Sequence, residues 1–501
     1  MPEFFQNEEI TYIESEYVKE NSFIGKKAKS IELPKYEDIK DKLPIPQWEG
    51  HDNAIRCYYR AWEIAFGNLL NPADGSGFIS PFIDTAFNGC IFMWDSSFIL
   101  MFGKYASRLF DFQGTLDNFY ALQHKDGFIS REIDFKNGSE KFTRFDPAST
   151  GPNIMPWSEY EYYKFTGNNE RMSKIFPVLL AYHKWLKDFH TWRDGSYWSS
   201  GWGCGMDNTP RHPRIDTEYT HGKMIWSDTC MQQILSCNIL IKMAEALGRE
   251  NDVNELDEER KKLKKLINER LWDDKTKFYY DMLDDDQLTM VKSVGAYWAL
   301  IAEIADSERA DELIAHLDNP KEFKTKNRVP TLSADDPHYR KDGFYWRGSV
   351  WAPTNYMVLC GLDKYGKYDM AYEIARCCVE NVVENFNESN TLWENYEPES
   401  CKQGSVSSGD FVGWSGLFPI SIMIEYIFGI KTDMLKREIN WHINLTDEFG
   451  IEQYPYGENG LIDFKCEKRA STSEEPKIHI NSNVNVKVNI FWDGGSKTVN
   501  I

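Results

Sequence analysis

Apolar residues recur at three- and four-residue intervals in twelve segments, near 52–70, 95–110, 112–124, 156–166, 169–190, 223–247, 250–271, 292–305, 307–317, 348–362, 366–385 and 412–428. That spacing puts them on one face of a 3.6-residue repeat, so each segment predicts a helix, and no convincing strand run lies between them. The joins alternate in character. TGNN at 166–169, LGREND at 247–252 and DKYGKYD at 363–369 are brief, whereas 71–94, 125–155, 191–222, 318–347 and 386–411 are long and rich in Gly, Trp, Asp and Arg. Long irregular loops in a compact domain usually carry function. Twelve helices with alternating short and long joins predict paired inner and outer helices: an all-α catalytic domain over 51–430, closed as an (α/α)6 barrel with the long loops over one end. An irregular helical domain or an open solenoid is the alternative, and the chain has no repeating period to support a solenoid.

Both ends of the chain leave this pattern. Residues 1–50 lack a helical period and finish in the proline-punctuated LPKYEDIKDKLPIPQW, which predicts an arm packed on the surface. In NSNVNVKVNIFW, Val484, Val486, Val488 and Ile490 alternate with Asn483, Asn485, Lys487 and Asn489, as in a half-buried strand, and DGGS at 493–496 reads as a turn into KTVNI. With INWHINL from residue 439, this predicts a small β appendage over 431–501, suited to covering the barrel or to a contact in a homo-oligomer.

Charge narrows the partners. With 57 basic against 78 acidic side chains, the formal net charge is −21, and no basic stripe stands out to hold a nucleic acid or an anionic membrane surface. No apolar run approaches the roughly 18 residues that span a bilayer, and MPEFFQNEEITYIESEY is acidic where a signal peptide starts basic, so the expected location is the cytoplasm. The ten cysteines form no C-x-x-C pair, and several fall in helical patterns, as buried free thiols do. No zinc site is evident, and neither metal nor cofactor is expected. The 17 Trp, 26 Tyr and 30 Phe make 15% of the chain, many on the long loops. Aromatic planes on loops suit the apolar faces of sugar rings, although a large core also uses them.

Carboxylates accompany those aromatics. GWGCGMDNTPRHPR places Asp207 after Gly203 and Gly205, which allow the tight turns that present a carboxyl to a cavity; an Asp before Asn, Thr and Pro also serves as a helix cap or Asx turn. TLWENYEPES sets Glu394 between Trp393 and Tyr396, an apolar setting that raises a carboxyl pKa. Far apart in sequence, these two could form the acid and base of a glycosidase only through the fold. FMWDSSF adds Trp94 and Asp95 at a helix start, QHKDGFISREI adds Arg131, and KDGFYWRGSVWAPTNYM adds Trp346, Arg347 and Trp351. An Arg beside aromatics orients a carboxylate or holds hydroxyls, and equally forms structural ion pairs.

Taken in order, FMWDSSF, DGFISREI, WGCGMDNTPR, YWRGSVWAPTNYM, LWENYEPES and FVGWSGLFP resemble the trehalase and glycoside hydrolase family 63 clan, in particular its bacterial α-glucosidase and mannosylglycerate hydrolase type. The resemblance covers about residues 51–428 and implies an (α/α)6 barrel that cleaves an α-glycosidic bond in a disaccharide or short oligosaccharide with inversion. It implies Asp207 as general acid and Glu394 as general base, with Trp94, Asp95, Arg131, Arg347 and Trp351 lining the sugar subsite and Trp414 as its aromatic wall. Trp157, Asn208 and Tyr396 complete the expected substrate-binding set. An inverting pair stands roughly 6.5–9.5 Å apart so that a water fits at the base. Where the family reads W-E-S-G-M-D-N, this chain has Trp202, Gly203, Cys204 and Gly205; the lost Glu bears on which sugar is bound. Three other readings compete. A phosphorylase would need a phosphate pocket near Glu394, for which SVSSG at 405–409 with Lys402 is a candidate. An epimerase would use paired histidines such as His183 and His190, and a sugar-binding protein would need neither carboxylate.

Overall fold

The computed structural model describes residues 13–84 and 88–501, so the first twelve residues of the predicted arm and residues 85–87 of the 71–94 loop lie outside the described residues. Each predicted helical segment contains a helix. These are α1 (Asp52–Gly67), α2 (Met93–Gly103), α3 (Gly114–Ala121), α4 (Met155–Thr166), α5 (Asn169–Phe189), α6 (Ser227–Leu247), α7 (Asn254–Leu266), α8 (Trp298–Ile301), α9 (Ser307–Ala315), α10 (Ala352–Lys364), α11 (Tyr368–Ser389) and α12, a wide-turned helix (Phe418–Ile427) entered by a tight turn at Trp414–Leu417. Local chemistry explains the short joins. Gly167, at φ +72°, ends α4 in the left-handed conformation, and the Asn168 side chain accepts from Arg171 N (2.9 Å) to start α5.

Burial separates inner from outer helices. All 11 residues of α2 are buried, whereas α7 buries only Leu256 and Leu263. A helix surrounded by protein needs no polar face; one with a single packed stripe does. Contacts between neighbours run from α2 to α4, α6, α8 and α10, then through the Trp414–Leu417 turn back to α2; α1, α5, α7 and α11 pack outside. The long joins precede α2, α4, α6, α10 and α12, so the loops gather over the N-terminal ends of inner helices.

The other ends of these helices meet a β region, in which β1 (Ile45–Trp48), β4 (Phe449–Tyr456), β5 (Gly460–Cys466) and β6 (Ile478–Ser482) form one antiparallel sheet. A second sheet has the order β8 (Gly495–Asn500), β7 (Lys487–Trp492), β3 (Glu438–His442), β2 (Ile430–Asp433), with β7 and β3 parallel. The predicted hairpin is present: Trp492 pairs with Gly495 across the two residues Asp493 and Gly494. One expectation changes: the last residues of the N-terminal arm are not a surface wrap but the edge strand β1, where Pro46 costs no interior ladder bond. Short strand pairs at 69–70 with 82–83, 90–92 with 132–134, and 272–273 with 278–279 also interrupt the helical domain. No disulfide joins any of the ten cysteines, and no described helix is long and apolar enough to cross a membrane.

Candidate active site

The paired strands 90–92 and 132–134 fix the start of α2 beside Arg131, whose carbonyl accepts from Met93 N (2.8 Å). Trp94 and Asp95 therefore enter the first turn of α2 facing Arg131. Behind Trp94 runs the 201–207 loop. Ser200 caps its single helical turn through Gly203 N (3.0 Å), and Gly205 turns back at φ +76°. A Cβ on Gly205 would stand 2.9 Å from the Trp94 ring, so this glycine is required by both backbone and space. The next turn carries Asp207, whose Oδ2 accepts from the Tyr345 hydroxyl (3.3 Å). Glu394 comes from the loop before α12. Its backbone N–H donates to Ser408 O (2.9 Å), its Oε2 accepts from Ser408 N (3.3 Å), and its carbonyl accepts from Trp414 Nε1 (3.1 Å).

These segments enclose a cavity of about 250 Å³ lined by Trp94, Asp95, Arg131, Trp202, Asp207, Tyr345, Trp346, Glu394 and Trp414, among others. Four carboxylates, those of Asp95, Glu132, Asp207 and Glu394, thus share a small aromatic chamber. Asp207 touches the cavity's solvent, yet protein surrounds it, and burial pushes its pKa up to about 6 against the pull of Arg131 and the Tyr345 hydroxyl. Burial also lifts Glu394, to about 7; the Ser408 backbone opposes the rise and the Asp207 charge adds to it. Asp95 is raised well above the carboxylate range, first by burial and then by the Glu394 charge. Among the described lining residues Arg131 is the one Lys or Arg, and it is shared: its Nη2 stands 3.0 Å from Glu132 Oε2, and its guanidinium lies over the rings of Phe142 and Trp202. Trp94 Nε1 and Asp95 Oδ1 are buried without hydrogen-bond partners, leaving a donor and an acceptor for a hydroxylated ligand.

Of the eleven residues expected from sequence, Asp207, Glu394, Trp94, Asp95, Arg131 and Trp414 line this cavity. The other five do not. Trp157 lies along α4 and lines a different cavity, separated by Trp298, which touches both Trp157 (5.7 Å) and Trp94 (6.3 Å). Asn208 and Arg347 hold loops together: Asn208 Oδ1 accepts from Trp346 N (2.8 Å), and Asn208 O accepts from Arg347 Nε (3.0 Å). Trp351 stacks behind Trp346 at 4.0 Å, and it is Trp346 that faces the ligand space. Tyr396 turns its hydroxyl back to accept from Trp393 N (3.1 Å). Sequence reasoning passes over Trp202, Glu132 and Tyr345 as site residues. Only Tyr345 signals itself in backbone geometry, as a non-glycine residue at φ +55°, a conformation found at functional sites.

Away from this cavity, His183, Cys237 and Glu259 bring their ligand atoms within 4.8 Å of one another. Each is engaged in a core network: His183 Nδ1 meets Ser236 Oγ (2.9 Å), Cys237 Sγ meets His183 Nε2 (3.6 Å), and Glu259 accepts from the Tyr197 hydroxyl (2.6 Å). His183 is fully buried behind the helices, and His190 also lies outside the cavity, so the paired-histidine reading has no shared chamber.

Carboxylates gathered among aromatic planes over the ends of inner helices define the glycosidase class. More particularly, the chain belongs to the mannosylglycerate hydrolase MGH1-like glycoside hydrolase family, whose profile matches residues 91–415, more than half of the chain. It is a glycoside hydrolase. A protein of Borreliella burgdorferi is 28% identical over 378 residues, covering 73% of this chain and 76% of its own. A probable mannosyl-oligosaccharide glucosidase of Schizosaccharomyces pombe is 24% identical over 286 residues, half of this chain and 34% of the yeast protein. The solved family 63 mannosylglycerate hydrolase of Thermus thermophilus, in complex with glucose, superposes with a TM-score of 0.59 at 21% identity, over 72% of this chain and 99% of that one; it shares the fold.

Proposed function

We propose that the ring of inner helices and its outer partners form an (α/α)6 barrel, and that the enzyme removes a terminal sugar from a short α-linked saccharide or glycoside by inversion. Asp207 acts as general acid, protonating the leaving oxygen, and Glu394 as general base, taking a proton from the attacking water. The observation that carries this reading is the pair of carboxyls, Asp207 and Glu394, held in one aromatic cavity with pKa values of about 6 and 7. Unperturbed carboxyls would both be ionised at neutral pH and could supply no acid.

A glycosidic oxygen accepts a hydrogen bond only from protonated Asp207, and an attacking water gives its proton only to ionised Glu394, so the productive form carries the pair's single proton on Asp207.

Trp94, Trp346 and Trp414 offer faces for a pyranose ring, while Asp95 Oδ1 and Trp94 Nε1 await its hydroxyls. A chamber of about 250 Å³ suits a small saccharide, not a polymer strand. The names of the relatives direct the substrate search to α-mannosyl and α-glucosyl compounds, mannosylglycerate among them. Phosphorolysis is not favoured. In the SVSSG stretch, Ser407 bonds Asn395 and the Ser408 backbone holds Glu394, and Lys402 is not among the lining residues.

The test is proton NMR of the first-formed anomer from α-mannosyl-glycerate, α-glucosyl-glycerate and α-linked disaccharides, with wild type and Glu394→Gln in parallel. Release of β-sugar that vanishes in the variant is expected. Release of α-sugar, or strict dependence on added phosphate, overturns the proposal.

A further inference from the structure

A larger cavity, about 450 Å³, lies at the opposite ends of the same helices, between the last turns of α2, α4 and α10 and the β2–β3 hairpin. Its lining includes a charged pair that is itself more than nine-tenths buried. Lys104 Nζ stands 2.8 Å from Glu425 Oε1, and Glu425 also accepts from the hydroxyls of Tyr105 and Tyr356 at 2.8 Å each. Removing such a pair from water is costly, and nothing in the active-site chemistry requires it.

Around that pair the lining is rich in lysine. Lys164 pairs with Glu161 (3.0 Å), Lys364 with Glu303 (3.4 Å), and Lys431 with Asp363. Lysines in last helical turns offset the negative end of the helix dipole, which accounts for Lys364 and Lys164. It does not account for Lys242, which sits more than a turn before the end of α6 and, among the described residues, has no carboxylate within ion-pair distance. Burial and the neighbouring Lys364 charge hold its pKa below the ordinary lysine value. An adjoining cleft of about 320 Å³ shares Asn238, Lys242 and Glu303 with the cavity and adds Arg260, Lys261 and Lys264. Arg260 and Lys261 already pair with Asp257, and Lys264 donates to the Glu303 carbonyl, so Lys242 is the cation of this group whose side chain has neither an ion pair nor a hydrogen bond to a described residue.

Two further features describe an occupant. Asp363 Oδ1 is buried with no hydrogen-bond partner, an acceptor awaiting a donor such as a hydroxyl. Trp157 and Tyr160 present rings on the same wall.

We propose that this cavity is a second binding site, separate from the active site, for a phosphate monoester of a small sugar. Lys242 and Lys364 hold the phosphate, Asp363 takes a hydroxyl, and Trp157 and Tyr160 face the ring. The inference does not depend on which glycoside the active site cleaves.

Isothermal titration calorimetry tests it with three probes: a hexose 6-phosphate, inorganic phosphate and the unphosphorylated hexose. The proteins are wild type, Glu394→Gln, Lys242→Glu and, as a control for charge alone, Lys275→Glu on an exposed turn. Saturable hexose phosphate binding is expected in wild type, Glu394→Gln and Lys275→Glu, weakened at least tenfold in Lys242→Glu, whereas any binding of free hexose, which belongs to the active site, is unchanged by Lys242→Glu. Inorganic phosphate binding equally well would keep the site and assign it to free phosphate. Absence of binding by both phosphates, equal hexose phosphate binding in Lys242→Glu, or a Lys242→Glu loss for free hexose as large as for its phosphate would each overturn the proposal.

Discussion

The two cavities sit at opposite ends of the same inner helices and treat buried carboxylates in opposite ways. In the active-site chamber Arg131, itself paired with Glu132, pulls on Asp207 and Asp95 while no described cation acts on Glu394; burial dominates, and Asp95, Asp207 and Glu394 are all held above their ordinary pKa values. In the far cavity burial alone would raise Glu161, yet Lys164 and then Lys104 override it, and its pKa falls. Depth of burial is therefore not what makes a carboxyl reactive; the number of cations that accompany it decides the sign.

The largest effect that sharpens this contrast is catalytic. Glu394→Gln and Asp207→Asn are each expected to lower kcat by about 10²–10⁴-fold while leaving the circular dichroism spectrum unchanged. Near-native turnover in either variant would remove that residue from the chemistry. Next comes stability, where the two ends should respond with opposite signs. Lys104→Met leaves Glu425 buried without its cation and should cost about 3 kcal/mol in denaturant unfolding.

Glu394→Gln should instead stabilise. Glu394 has a folded pKa of about 7 against 4.5 ordinarily, so between those values the native state keeps a proton that the unfolded chain has released. Wild-type stability therefore falls as pH rises through that window, and the neutral Gln escapes the loss. The variant is expected to be about 3 kcal/mol more stable at pH 8, with the gap closing near pH 4. A gap that does not change with pH would separate the stabilisation from the carboxyl's ionisation.

The kcat/KM profile should be a narrow bell centred between about 6 and 7, falling on the acid side as the pair takes its second proton and on the alkaline side as it loses its last. Arg131→Met removes the strongest influence lowering Asp207 and should move that bell upward in pH. The smallest effect is Tyr356→Phe, which deletes one of two hydroxyl bonds to Glu425 and should cost about 1 kcal/mol, read from the unfolding midpoint.

The helices of this protein are written in its sequence because they are local: a 3.6-residue apolar period, a glycine at 167 and an asparagine cap at 168 act within a turn or two. Asp207 and Glu394 stand out as candidates differently, Asp207 after the glycines of GWGCGMD and Glu394 between the aromatics of LWENY, and the structure brings both to one cavity. The partition of the other candidates is not legible in the sequence. Trp346 and Trp351 are near neighbours in sequence, and only the turn between them decides that one lines the cavity while the other stacks behind it. Trp157 resembles an active-site tryptophan and stands in the first turn of α4, but Trp298 lies between it and Trp94, and its ring lines the far cavity. Strand β1 reads as an arm in the sequence because its partner, β4, lies some four hundred residues away. Periodicity and caps act over a few residues, so sequence by itself determined the helices and pointed to the two carboxylates. Burial, charge pairing and the direction of a ring are sums over neighbours from distant segments, and those the tertiary structure alone decided.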